Sequence, residues 1–82
     1  MDNMQIRIRV QFPAVMHVER LKSGSEVEVP IGTTIEGLLT RFRVKKEHFQ
    51  YIVAIVNGEK RSLSHTLQNR EELRLILPVG GG

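Results

Sequence analysis

Met4, Ile6, Ile8, Val10 and Phe12 alternate without a break with Gln5, Arg7, Arg9 and Gln11. Successive side chains of an extended chain point to opposite faces, so this run is a strand with one apolar and one polar face. Such a strand constrains the rest of the chain. It has to sit in a sheet, and another layer has to cover its apolar face. Pro13 ends it, because proline has no N–H to give to a ladder. The remaining residues must supply the partner strands and the cover.

Residues 14–24 are a less regular connector closing on the turn residues Ser23-Gly24-Ser25. Val27 and Val29 then alternate with Glu26 and Glu28, a second short strand that forms an antiparallel hairpin with the first. Ile35, Leu38, Leu39 and Phe42 recur at helical spacing and share one face. Thr33 and Glu36 fit a capping box at the start of this helix. Gly37 weakens it by up to about 1 kcal/mol relative to alanine, so the helix is short and depends on packing. A continuous apolar run predicts a strand at 51–56, and Asn57-Gly58 predicts a tight hairpin turn into a very short strand near 59–61. Leu63 and Leu67 read as anchors beneath a loop or a single helical turn. The last strand covers roughly 72–77. One helix therefore covers one face of one mixed sheet of four to five strands, with the first and last strands as parallel central neighbours. The fold class is α+β, with a β-grasp layout.

Length and composition set limits on function. With 82 residues the chain is one domain, and a domain of this size buries only about 60–65% of its unfolded surface. It has no room for a deep catalytic cleft. There is no cysteine, which removes disulfides, thiolate nucleophiles and cysteine-based metal sites and fits a cytoplasmic location. The amino-terminal segment reads as neither a signal peptide nor a membrane span. The net charge of +3 comes from scattered Lys and Arg, which gives nucleic-acid binding weak support.

Four stretches together resemble the ubiquitin-like sulfur carriers of the MoaD/ThiS family: the alternating first strand, "EVEVPIGTTIEGLL", "VAIVNGE" and the closing "LILPVGGG". The resemblance runs over nearly the whole chain. Three features depart from the family pattern: three glycines where two are usual, "NREEL" before the last strand, and a non-helical 13–22 connector. The resemblance implies a carrier that is not itself an enzyme. Its C-terminal carboxylate is adenylated by a ubiquitin-activating-type enzyme, which uses the ATP, and becomes a thiocarboxylate. A sulfur-acceptor synthase then takes the sulfur. The carrier itself binds no cofactor, metal or membrane. Length and ending lean toward a molybdopterin-type acceptor, with thiamine or other products as alternatives. The domain is expected to span 1–77 and a flexible glycine tail 78–82.

In this scheme Gly82 carries the reacting carboxylate, or Gly81 does if the last residue is trimmed. Gly80 and Gly81 tether it, and Pro78 and Val79 mark the exit from the sheet. Five extended residues span at most about 17–18 Å, and glycines pass a narrow channel without side-chain hindrance. Threading such a tail costs conformational entropy, so a docking surface on the body should offset the loss. If Leu73, Leu75 and Leu77 face the helix, Arg74 and Ile76 face outward with Arg7 and Arg9, and these four are the expected partner contacts. Either Tyr51, Val53 and Ile55 or Ile52, Ala54 and Val56 share that open face. Two other fates fit the same residues: a modifier conjugated to lysines through Gly82, or a binding module with an inert tail.

The remaining chemistry-bearing residues read as structural. His17, His48 and His65 sit in separate segments without carboxylates at ligand spacing. Ser62, Ser64 and His65 look catalytic only superficially and are better read as turn and cap formers. The basic cluster "RFRVKKEH" reads as a solvated helix end that complements the helix dipole.

Overall fold

Gln5–Gln11 (β1) and Ser25–Pro30 (β2) pair antiparallel, with Ile6 opposite Val29 and Ile8 opposite Val27. Val53–Val56 (β3) and Glu59–Arg61 (β4) form a second antiparallel hairpin, and Glu72–Ile76 (β5) lies between the two. These relations come from a computed structural model that describes residues 4–16, 18 and 20–78. The sheet order is β2-β1-β5-β3-β4. β5 runs parallel to β1 and antiparallel to β3, so the last strand is the centre of the sheet, as the apolar patterning predicts.

Alternation assigns the faces. Ile6, Ile8 and Val10 of β1, Val29 of β2, Ala54 and Val56 of β3, and Leu73 and Leu75 of β5 are buried on one side. The helix α1, Ile35–Arg41, covers that side with Ile35, Leu38 and Leu39. Ile52 is buried with them while Tyr51 is exposed, which decides the question the apolar run at 51–56 leaves open. The Asn57-Gly58 turn takes positive φ at both residues, 50° and 86°, the geometry that twists with its flanking strands. Asn57 also clamps β5: its N–H donates to the Glu72 carbonyl and its Oδ1 accepts from the Glu72 N–H, both at 2.9 Å.

The helix cap differs from the expected box. Thr34, not Thr33, is the N-cap, and its Oγ1 accepts from Gly37 N at 3.0 Å. The Thr33 hydroxyl instead donates to the Pro30 carbonyl at 2.7 Å. The frame moves by one residue because Thr34 is held in a β-bridge with Thr66. With Gly37 at the third helical position there is no side chain to complete a box. The orphan N–H groups of the first turn go elsewhere: Ile35 N donates to the His65 carbonyl and Glu36 N to the Leu63 carbonyl. This gives the 62–67 loop its job, with Leu67 buried beneath it.

The far end of the helix is also corrected. Residues 41–48 are only in part a solvated helix end. Arg41 closes the last turn, and Arg43 then adopts φ 65°. Arg43 N donates to the Thr40 carbonyl and Val44 N to the Leu39 carbonyl, a Schellman motif with arginine where glycine is usual. Val44 is buried, and Lys46–Tyr51 forms a 3-10 helix that buries Phe49. The strand expected from 51 therefore starts at Val53.

Candidate functional site

β5 places the candidate site. Its inward residues Leu73 and Leu75 are 1% and 2% exposed, while Glu72, Arg74 and Ile76 face outward. Leu77 turns back toward the core and is half-buried, and Pro78 is exposed. Val79, Gly80, Gly81 and Gly82 lie outside the described residues, as does His17. The described chain thus runs out of the sheet at Pro78 from a strand bonded on both edges.

Around that exit the open face is partly apolar. Ile76 stands opposite Val53, and Arg74 lies between Gln11 on β1 and Ile55 on β3. The Arg74 Nη2 donates to Gln11 Oε1 at 3.4 Å, a weak contact that leaves most of the guanidinium facing solvent. Arg74 and Ile76 both line two shallow hollows of about 280 Å³ each. An apolar side chain from a partner would find aliphatic floor and a cation at the edge.

Arg7 and Arg9 are placed differently. Arg7 donates to Glu28 Oε2 at 2.9 Å and lies 3.9 Å from Glu26 Oε1. Arg9 donates to Glu26 Oε2 at 3.1 Å and to the Gly24 carbonyl at 2.9 Å. The hydrogen bond that Arg7 donates to Glu28, then the charges of Glu28 and Glu26, raise the Arg7 pKa above its ordinary value. Arg7 is three cross-strand rows from Ile76, about 20 Å along the strands. Of the four expected contacts, the structure brings Arg74 and Ile76 together at the exit. It places Arg7 and Arg9 in an ion-pair ladder with β2.

The superficially catalytic loop is a turn. Ser62 Oγ and Ser64 Oγ are 2.7 Å apart, and Ser64 N donates to Ser62 Oγ. The His65 ring pairs instead with Glu71 Oε1 at 3.3 Å, and that same oxygen accepts from Gln68 N at 2.7 Å. Among the described residues no serine hydroxyl is hydrogen-bonded to a histidine ring. Nor do three or more His, Asp or Glu side chains there come together as a metal would require. Among the described residues no helix is long and apolar enough to cross a membrane.

One feature escapes sequence reasoning. On the helix side of the exit, Val15, Met16, Val44, Tyr51, Ile52 and Leu77 enclose a hollow of about 560 Å³. Its one visible signal is Val44, an apolar residue inside a run of cations.

No curated protein matches the chain. The crystal structure of SAMP1 from Haloferax volcanii superposes with a TM-score of 0.57 at 20% identity, covering 95% of this chain and 99% of that one. At that identity the likeness shows a shared fold, the ubiquitin-like β-grasp. The sequence profile of the ThiS family matches residues 10–82, from the end of β1 through the three glycines. The chain belongs to the ThiS family and is a small ubiquitin-like sulfur carrier or modifier.

Proposed function

We propose that this protein carries sulfur on the carboxylate of Gly82. Members of its family generally partner with E1-like activating enzymes. In this reading such an enzyme couples the carboxylate to AMP and releases pyrophosphate. A sulfide-level nucleophile then displaces AMP to leave a thiocarboxylate. A synthase takes the sulfur into a cofactor precursor, molybdopterin-type on the strength of length and ending, with thiamine as the alternative. The protein is not itself an enzyme, binds no cofactor, and works in the cytoplasm beside its ATP-using partner. Gly80 and Gly81 are the tether, Pro78 and Val79 the exit, and Ile76 with Arg74 the partner contact beside it.

The observation that carries this reading is the family match that extends through Gly82. The fold supports it mechanically. A tail drawn into another protein pulls on its anchor, and β5 is held by ladders to both β1 and β3. The outward row of Ile76, Val53 and Ile55 offers apolar contact that offsets the entropy of threading.

Intact-mass analysis of the protein incubated with its adenylating enzyme, ATP and a sulfur donor tests the proposal. Exchange of one terminal oxygen for sulfur is the expected result. A Gly82–lysine isopeptide instead assigns a modifier, and an unchanged terminus with no adenylate overturns both. Deletion of Gly82 should leave the unfolding midpoint unchanged and abolish transfer. An unfolded deletion variant would make the tail structural.

A further inference from the structure

The hollow on the helix side of the strand exit has a defined construction. Its floor and walls are Met16, Val44, Ile52 and Leu77, and Val15 and Tyr51 stand at its mouth, 68% and 61% exposed. Arg43, Lys45 and His48 complete its lining, and all three are exposed. The Schellman motif fixes Arg43 and Val44 side by side, one at the rim and one in the wall. Among the described residues, none of these three rim groups takes part in an ion pair, whereas Arg7, Arg9 and Arg61 all do. Residues 41–51 carry four Lys or Arg and a single acid, Glu47.

Large exposed apolar side chains beside Arg43 and Lys45, which form no ion pair among the described residues, describe one half of an interface. We propose that this groove receives an apolar anchor set in an acidic patch on the adenylating enzyme that takes the tail. The identity of that enzyme rests on the proposed function; the groove rests on its own geometry. Charge favours this occupant: an acidic patch is attracted to Arg43 and Lys45, while a second copy would bring the same two cations and a net +3 against them. Single-stranded nucleic acid stacks on successive aromatics, and the groove offers only Tyr51. Position favours it too. Leu77 lines the groove and also, with Ile76, one hollow of the open face, so the chain leaves where the two surfaces meet. Gly82 lies within about 17–18 Å of chain from a protein seated on Leu77. The groove therefore grips the body while the enzyme's active site holds the terminus.

The test measures binding of the full chain to the purified adenylating enzyme of its source organism by fluorescence anisotropy. ATP–pyrophosphate exchange is measured in parallel. Tyr51→Ala, Val15→Asp and Lys45→Glu alter exposed side chains, and unchanged thermal midpoints verify folding. Arg7→Ala on the opposite side of the sheet is the control. The expected result is a Kd raised about tenfold or more for each groove variant and within about twofold for the control. Groove variants should raise the KM for the carrier in the exchange assay and leave kcat unchanged, because they loosen the body and not the terminus. Folded groove variants that bind as the wild type does overturn the proposal, as does a wild-type chain that does not bind the enzyme. Groove variants that lose affinity for an RNA oligomer, for anionic vesicles or for a second copy while keeping the enzyme also overturn it. A wild type that binds through the groove without supporting exchange sinks the proposed function and leaves the docking surface standing.

Discussion

The open face of the sheet divides along β1. On the β1–β2 side, Arg7 and Arg9 meet Glu28 and Glu26 across the hairpin at 2.9 and 3.1 Å. On the β5–β3 side, Ile76, Val53 and Ile55 make an apolar strip, and Arg74 has only a 3.4 Å contact to a glutamine. Both sides carry arginines on a polar strand face. One set is neutralised within the protein and offers a partner little beyond hydrated ion pairs. The other presents a cation and aliphatic surface that a partner can cover. An arginine's value to a partner depends on what stands opposite it in the next strand.

The sharpest way to break this comparison uses neighbours on β5 that face opposite ways. Leu75→Ala should cost about 2–5 kcal/mol by chemical denaturation, because it opens a cavity between the sheet and α1. A cost below about 1 kcal/mol would mean that β5 is not the packed centre. Ile76→Asp should leave stability within about 1 kcal/mol, the span of strand preferences at exposed sites. It should slow sulfur transfer about tenfold in a single-turnover assay with the acceptor synthase. Unaltered transfer would remove the apolar strip from the docking surface. A smaller effect is expected for Arg74→Glu: association slowed a few-fold, with the difference shrinking at higher ionic strength. The smallest concerns the ladder. Arg7→Ala, Glu28→Ala and the double variant should all bind partners within about twofold of the parent, since exposed pairs contribute little. A large loss for Arg7→Ala alone would show that the ladder opens to receive a partner and would erase the distinction between the two sides.

Much of this was legible in the residues. The period of two in β1, the Asn-Gly turn and the apolar last strand each have one local solution, and they combine into one sheet with β5 at its centre. The helix boundaries were harder. Thr33 and Thr34 are chemically the same, and the choice of cap was made by the bridge from Thr34 to Thr66, 32 positions away. Arg43 ends the helix at positive φ with no glycine to announce it, so the 3-10 helix and the groove beside it were hidden. The site was half legible for a related reason. Patterning says that Arg7, Arg9, Arg74 and Ile76 face one way. It does not say that register sets Arg7 against Glu28 and Arg74 against Gln11 and Ile55.

The central place of β5 also governs how the molecule assembles. β1–β2 and β3–β4 are sequence-local hairpins, closed over residues 12–24 and 57–58, but no ladder joins one to the other. Only β5 connects them, and its pairing with β1 brings together residues more than sixty positions apart, such as Arg9 and Glu72. Loop closure of that length precedes any reward from the contacts, which slows folding relative to the hairpins themselves. A nascent chain that has not yet delivered residues 72–76 holds two separate ribbons and an uncovered helix. The same strand that presents the tail is the one whose arrival makes the sheet whole, so a chain able to present its tail from β5 is a chain that has finished folding.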